Sequence, residues 1–228
     1  MVPGGFIDWL FEAWAWLRRA DTPSALRHRS IVTPTPEDFP VDRQLVGEDL
    51  AEDFFLFVRE HAGLTEWPLW VVPESEAIEP DEGCPIPYDP SLVDNPCALV
   101  WRLARGSAYY AVHEAPAPPP VEENERLVDA TAIFLGFGLF AMAALVRPHR
   151  RGPFIVCENR PALDEAEILV ALALYGILGE IPDRAIETHL PPGARVHYRA
   201  AVKHLLRNHA LGLGRVRGLV PAPYGPYR

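Results

Sequence analysis

The dipeptide His113-Glu114 looks like the start of a metal-hydrolase motif, because the zinc motif H-E-x-x-H begins with these two residues. In that motif two histidines one helical turn apart bind zinc, and the glutamate acts as the base for a bound water. Here Ala115, Pro116 and Ala117 follow, so no second histidine lies four residues later. Proline also opposes the helix that would align the pair. The dipeptide therefore does not predict a zinc site.

Three other patterns could indicate chemistry. Gly136-Phe-Gly138-Leu-Phe-Ala141 matches G-x-G-x-x-A, but a dinucleotide site needs these glycines between a strand and a helix. They lie inside the apolar run 130–146, so we expect them to permit close helix packing. Ser107 lacks the G-x-S-x-G context of a nucleophile. His197 and His204 could share a helix face, although we expect them to be partly exposed polar residues rather than metal ligands.

Hydrophobic spacing and capping residues predict a mainly α fold of about six to seven helices, with at most a small β element and α+β as the alternative. A short strand is expected over Leu69 to Val72, and residues 73–94 read as an irregular acidic loop. The division is an N-terminal helix and proline-rich loop (1–45), a helical domain (46–210) and an extended tail (211–228). Helices are predicted over 6–19, 46–62, from Asn95 to about 113, 122–146, 164–179, from near Pro182, and from Pro192 to about Asn208.

Proline and cysteine indicate how the chain is organised. The 25 prolines among 228 residues fall between the predicted helices or at their starts, which indicates rigid segmentation rather than disorder. The three cysteines are odd in number and lack the spacing C-x-x-C, so we expect a reduced, cytoplasmic protein. The start of the chain does not have the charge order of a secretory signal.

The net charge of −10 is unevenly distributed. Residues 1–146 contain 9 Arg and 24 acids, whereas residues 147–228 contain 12 Arg and Lys against 7 acids. An acidic body disfavours nucleic acid as the main partner. The basic C-terminal part could bind an anion or RNA, but we expect it to dock on the acidic part of its own chain.

Two apolar segments could contact something other than water. The helix 6–19 carries Trp9, Trp14 and Trp16 and has only a narrow polar stripe, so most of its surface is expected to be covered. Its cover could be the chain's own core, the groove of a partner, or a membrane interface. The run 130–146 is at the lower length limit for a membrane span, and we expect a buried central helix instead.

Two stretches resemble a family of uncharacterised bacterial zincin-like proteins. They are IPYDPSLVDNPCALVWRLARGSAYYAV (86–112) and ERLVDATAIFLGFGLF (125–140), and the helix DEAEILVALALYGIL (164–178) also recurs in that family. The resemblance covers roughly residues 48–210 and implies a helical zincin-like scaffold. In the family, one helix carries H-E-L-x-H, and an acidic third ligand precedes the apolar run of the next helix.

The same resemblance implies that the zinc site is degenerate. Its histidine positions fall on Arg105 and Tyr109, its general-base position falls on Gly106, and only Asp129 remains at the third-ligand position. An arginine stays protonated and cannot bind a metal, and glycine offers no base. The expectation is therefore a site without zinc or another cofactor.

Arg105 and Tyr109 are one helical turn apart and face the same way. At the positions that the resemblance assigns, we expect Arg105 to form an ion pair with Asp129 of the next helix in place of the metal. The alternative for Asp129 is an ordinary acid near a helix N-terminus, where the helix dipole favours negative charge.

The resulting hypothesis is a non-catalytic protein-binding module with an adaptor, inhibitor or immunity-type role. A protein partner is expected, and the candidate contacts are Trp9, Trp14, Trp16, Glu74, Glu76, Glu79, Asp81 and Glu82. The alternative is a zinc-dependent hydrolase or peptidase with unrecognised ligands, for which Asp129, His113 and Glu122 or Glu123 are the nearest candidates. Membrane association is a weaker alternative.

Overall fold

A computed structural model describes residues 4–19, 31–42, 44–76, 83–122, 124–146, 149–151, 154–156 and 160–219. It confirms a mainly helical fold with a small β element. The helices are α1 (Gly4–Arg19), α2 (Gly47–Ala62), α3 (Pro96–His113), α4 (Glu125–Ala132), α5 (Gly138–Val146), α6 (Glu165–Leu178), α7 (Asp183–Glu187), α8 (Pro192–Asn208) and α9 (Ala210–Arg217).

The region 73–94 contains more regular structure than the sequence predicts. Strand β1 (Leu69–Pro73) pairs in parallel with β2 (Cys84–Tyr88), with Val71 opposite Ile86, and a 3₁₀ turn follows at Pro90–Asp94. The expectation of an irregular loop is therefore wrong for residues 84–94. A second, antiparallel pair joins β3 (His149–Arg151) and β4 (Phe154–Val156).

Helix α3 lies at the centre of the fold and packs against α2, α4, α5 and β2. It begins where the sequence predicts, with the Asn95 side chain accepting a hydrogen bond from the Ala98 amide at 3.4 Å and Pro96 in the first turn. This start needs no distant contact, because Asn satisfies a free amide and Pro has none to lose.

The apolar run 130–146 is a buried helix that is interrupted once. Between α4 and α5, residues Ile133–Phe137 form a π-helical turn in which Gly136 has φ 106°, a conformation that side chains with a Cβ rarely adopt. At Gly138 a Cβ would come within 2.5 Å of Leu172 Cδ2 on α6. The glycines thus permit close helix packing, as the sequence analysis expected. The stretch Glu125–Leu145 is long and apolar enough to cross a membrane, but 94% of its most apolar window is buried in the fold.

Helix α6 begins with the predicted capping box. The Glu167 amide donates to Asp164 Oδ1 at 2.9 Å, and the Asp164 amide donates to Glu167 Oε2 at 3.1 Å. Helices α7 and α8 also start at the prolines that predicted them, Pro182 and Pro192.

The extended tail predicted for 211–228 is wrong for residues 211–217, which belong to α9. This helix packs on α1, with Leu213 and Val216 buried and Arg215 forming two hydrogen bonds of 2.5 and 2.9 Å with Glu12. A basic residue of the C-terminal part therefore docks on the acidic part of the chain, as expected for this region.

Helix α1 belongs to the same hydrophobic cluster as the helices between 46 and 210. Trp14 is buried, and its Nε1 donates to Ala130 O on α4 at 3.2 Å. Residues 4–19 are therefore part of the main core rather than of a separate N-terminal unit.

Two leucines on α9 provide a test of its docking. Leu213 is 4% exposed and Leu211 is 92% exposed, two residues apart on the same helix. We expect Leu213→Ala to lower the free energy of unfolding by about 2 kcal/mol, because it leaves a cavity where α9 packs on the rest of the fold. Leu211→Ala should change it by less than about 0.5 kcal/mol. Urea denaturation of both variants measures this, and equal effects would contradict the docking.

Candidate functional site

Arg105 and Asp129 form the ion pair that is expected from the sequence. The Nε of Arg105 on α3 donates to Asp129 Oδ1 on α4 at 2.7 Å, and both residues are buried. A buried charge is tolerated only when it is paired and hydrogen-bonded. Each residue of the pair therefore supplies the opposite charge that the other needs in order to be buried.

The second carboxylate oxygen of Asp129 holds the segment that leads into α6. Its Oδ2 accepts hydrogen bonds from the amides of Ala162 at 2.5 Å and Leu163 at 3.1 Å. Burial raises the pKa of the Asp129 carboxyl, whereas Arg105 and these two amides act in the opposite direction. The carboxylate thus connects three parts of the chain: α3, α4 and the residues before α6.

A second acid contacts Arg105 from the surface. The Nη2 of Arg105 is hydrogen-bonded to Glu125 Oε2 in the first turn of α4, where the Glu125 side chain is 70% exposed. Because solvent screens an exposed pair, Glu125 should stabilise Arg105 much less than Asp129 does.

Gly106 lies directly beneath strand β2. A Cβ at this position would be 2.4 Å from Ile86 Cγ2 and 3.3 Å from Ile86 Cβ, and Ile86 is fully buried. A glutamate at position 106 would therefore occupy the space that Ile86 fills. The glycine allows α3 and β2 to approach closely, a contact that Tyr110 supports by donating its hydroxyl to Pro85 O at 2.7 Å.

Tyr109 does not belong to the buried pair. Although it is one turn from Arg105, it is 45% exposed, and its ring stacks on His113 with centroids 3.8 Å apart. It also meets Tyr110 edge-on at 5.5 Å. The four positions of the expected degenerate site therefore separate into a buried ion pair, a helix–strand contact and an exposed aromatic stack.

The candidates for metal ligands are dispersed. His113 Nδ1 is hydrogen-bonded to Tyr109 O, Glu122 is exposed, and Glu123 lies outside the described residues. His197 and His204 are exposed on α8. Within the residue ranges given above, no three His, Cys, Asp or Glu side chains are grouped so that they could hold a metal ion. The hydrolase alternative stays a prediction.

Two of the three tryptophans proposed as partner contacts are buried in the chain's own core. Trp14 bonds to Ala130, and Trp16 donates to Ala117 O at 3.0 Å, so the prediction of a partner contact is corrected for both. Trp9 is half-buried beside Phe6, and the Arg126 guanidinium lies over both rings. Arg126 also pairs with Glu167, which connects α1, α4 and α6.

The acidic candidates are only partly placed. Glu74 and Glu76 are exposed after β1, and Glu74 Oε1 lies 3.7 Å from Arg102 Nη2. Glu79, Asp81 and Glu82 lie outside the described residues.

The structure also reveals an acidic surface that the sequence analysis missed. We call it the α2 acidic face; it consists of the exposed residues Glu48, Asp49, Glu52, Leu56 and Glu60. None of its four acids forms an ion pair with another described residue. The spacing of four residues from 48 to 60 is the signal that could have found it, since such residues share one side of a helix.

Comparison of the chain with models of protein families, with curated proteins and with solved structures gives no significant match. The resemblance to zincin-like proteins therefore stays a prediction from the two sequence stretches.

Removal of Asp129 tests the buried pair. We expect Asp129→Ala to lower the free energy of unfolding by about 3 kcal/mol, because it leaves a buried guanidinium and two amides without their acceptor. Glu125→Ala removes the exposed acid from the same arginine and should cost less than about 1 kcal/mol. Chemical denaturation of the two variants measures the difference, and an unchanged midpoint for Asp129→Ala would contradict the pair's role.

Gly106→Ala tests the contact between α3 and β2. Alanine normally favours a helix over glycine, but here its Cβ would clash with Ile86, so we expect destabilisation of about 1–3 kcal/mol. Gly214→Ala on α9 is the matched control, because nothing lies within 4 Å of a Cβ there. Ile86→Ala should offset part of the effect of Gly106→Ala in a double-mutant cycle. Equal behaviour of the two glycine variants would show that the space above Gly106 is not filled.

Proposed function

We propose that this chain is a non-catalytic protein-binding module that contacts a basic partner through the α2 acidic face. At the positions of the expected degenerate zinc site, Arg105, Gly106 and Asp129 take part in ion pairing and packing within the fold, and Tyr109 is exposed. The observation that carries the proposal is the line of exposed acids on α2, none of which pairs with another residue that the structure describes, with an exposed leucine among them.

The stability of α2 explains only part of this acidic face. Glu48 and Asp49 lie in its first turn, where acids interact favourably with the helix dipole. Glu52 is in the middle of the helix, and Glu60 is in the last turn, where a negative charge is unfavourable. These two acids therefore contribute little or nothing to the helix and remain available to attract a partner.

Leu56 gives the surface an apolar centre. It lies one turn after Glu52 and one turn before Glu60, and it is exposed although the neighbouring Phe54 and Phe55 are buried. Protein interfaces commonly combine an apolar anchor with a polar rim. The partner that fits this arrangement presents basic side chains around an apolar depression that receives Leu56.

Capture experiments with two charge-matched variants test the proposal. The variant Glu52→Lys/Glu60→Lys changes the α2 acidic face, and Glu114→Lys/Glu122→Lys makes the same change in net charge at exposed sites elsewhere. We expect the wild type and the second variant to capture the same basic protein from a lysate of the source cells. The first variant should lose that protein, and its capture by the wild type should weaken as salt rises.

Leu56→Ala extends the test to the apolar anchor. It leaves all charges in place, and we expect it to weaken the purified complex through faster dissociation, as truncation of a central anchor does. Capture that is identical for the wild type and the α2 charge variant would refute the proposed surface.

A further inference from the structure

A pocket of about 180 Å³ opens between α2, α3, α5 and the segment 31–42. Its wall includes the rings of Phe39, Phe54 and Phe140. Phe39 meets Phe140 edge-on with centroids 5.4 Å apart, and its centroid is 5.8 Å from that of Phe54. Phe39 thus contacts the other two rings beside a space that the three rings do not fill.

The remaining wall is also apolar or neutral. Val100 and Cys97 contribute from α3, and three prolines and Thr35 complete the lining, so that no charged side chain lines this pocket. Prolines and helix backbones lose little further freedom on binding, so the pocket is largely preformed.

The size and chemistry of the pocket define its ligand. An apolar cavity of about 150 Å³ is sufficient to bind benzene. We infer that this pocket binds a small neutral molecule with an aromatic or branched aliphatic body, no larger than a bicyclic ring. Edge-to-face contacts with the three phenylalanines favour an aromatic body. Thr35 contributes the hydroxyl group of the pocket wall, which is the side-chain group there best suited to hydrogen-bond a ligand.

Alkylation of the two described cysteines can locate the ligand site in the wild-type protein. Cys97 lines the pocket, whereas Cys84 lies on β2 away from it, and both are partly buried. Burial and the nearby Glu114 raise the pKa of the Cys84 thiol, so the two thiols are not expected to react equally fast. The alkylation rate of each thiol is therefore compared between the ligand-bound and ligand-free protein.

Indole is the probe, with iodoacetamide as the alkylating reagent and peptide mass spectrometry as the measurement. At ten times its Kd, measured by calorimetry, indole should slow alkylation of Cys97 about tenfold, because only the ligand-free protein reacts. The rate at Cys84 should not change. Absence of saturable binding would overturn the inference, and so would equal protection of the two thiols or no protection of Cys97.

A variant that fills the pocket gives a second, independent measurement. Val100→Phe should lower the affinity for indole at least about tenfold, because the new ring takes the ligand's space. Val196→Phe makes the same substitution at a position of α8 that is 64% exposed and should leave the affinity unchanged. Unchanged binding by a folded Val100→Phe protein would overturn the inference. If that variant does not fold, the protection of Cys97 in the wild type decides the question.

Discussion

The ion pair between Arg105 and Asp129 is the interaction on which the arrangement of α3, α4 and α6 depends. Arg105 is buried in the central helix and needs an anion at this depth, since an unpaired buried charge is costly. Asp129 supplies it from α4, and the same carboxylate accepts the amides of Ala162 and Leu163. One side chain thereby fixes where the chain enters α6, whose capping box then sets the start of the helix.

The close approach of α3 and β2 is the second constraint, and it depends on the absence of a side chain. Gly106 leaves room for Ile86, and Tyr110 bonds to Pro85 four residues later on the same helix. A catalytic side chain at position 106 would clash with Ile86, so β2 could not keep its present position. Of the positions expected for a degenerate zinc site, Arg105 and Asp129 form the buried ion pair and Gly106 forms the contact with β2, whereas Tyr109 is exposed.

The features that the sequence predicted correctly are those set by neighbouring residues. The caps at Asn95 and Asp164 and the helix starts at Pro182 and Pro192 follow from local chemistry. Strand β2 was missed because Pro85 and Pro87 argue against a strand. The Cys84 amide donates to Pro68 O, and successive backbone amides point to opposite sides of a strand. The backbone nitrogens of Pro85 and Pro87 therefore point away from β1, where no amide hydrogen is needed for the pairing. Helix α9 was missed because its burial depends on α1, some 200 residues earlier. The exposure of Tyr109 likewise depends on which elements cover α3, and spacing along one helix does not reveal that.

The distribution of charge separates acids with internal partners from acids that face outward. Asp129, Glu167, Glu187 and Glu12 are all paired with arginines of the same chain. Two of these arginines, Arg199 and Arg215, belong to the basic C-terminal part, which is therefore partly used within the fold. The acids of α2 have no such partner among the described residues. At physiological salt, exposed charges act over only about 8 Å, so distant arginines do not neutralise the α2 acidic face. Among the described residues, Arg59 is an arginine on the same helix, and its guanidinium donates to the carbonyl oxygens of Thr65 and Trp67. The basic partner proposed above would therefore meet a surface on which acids predominate.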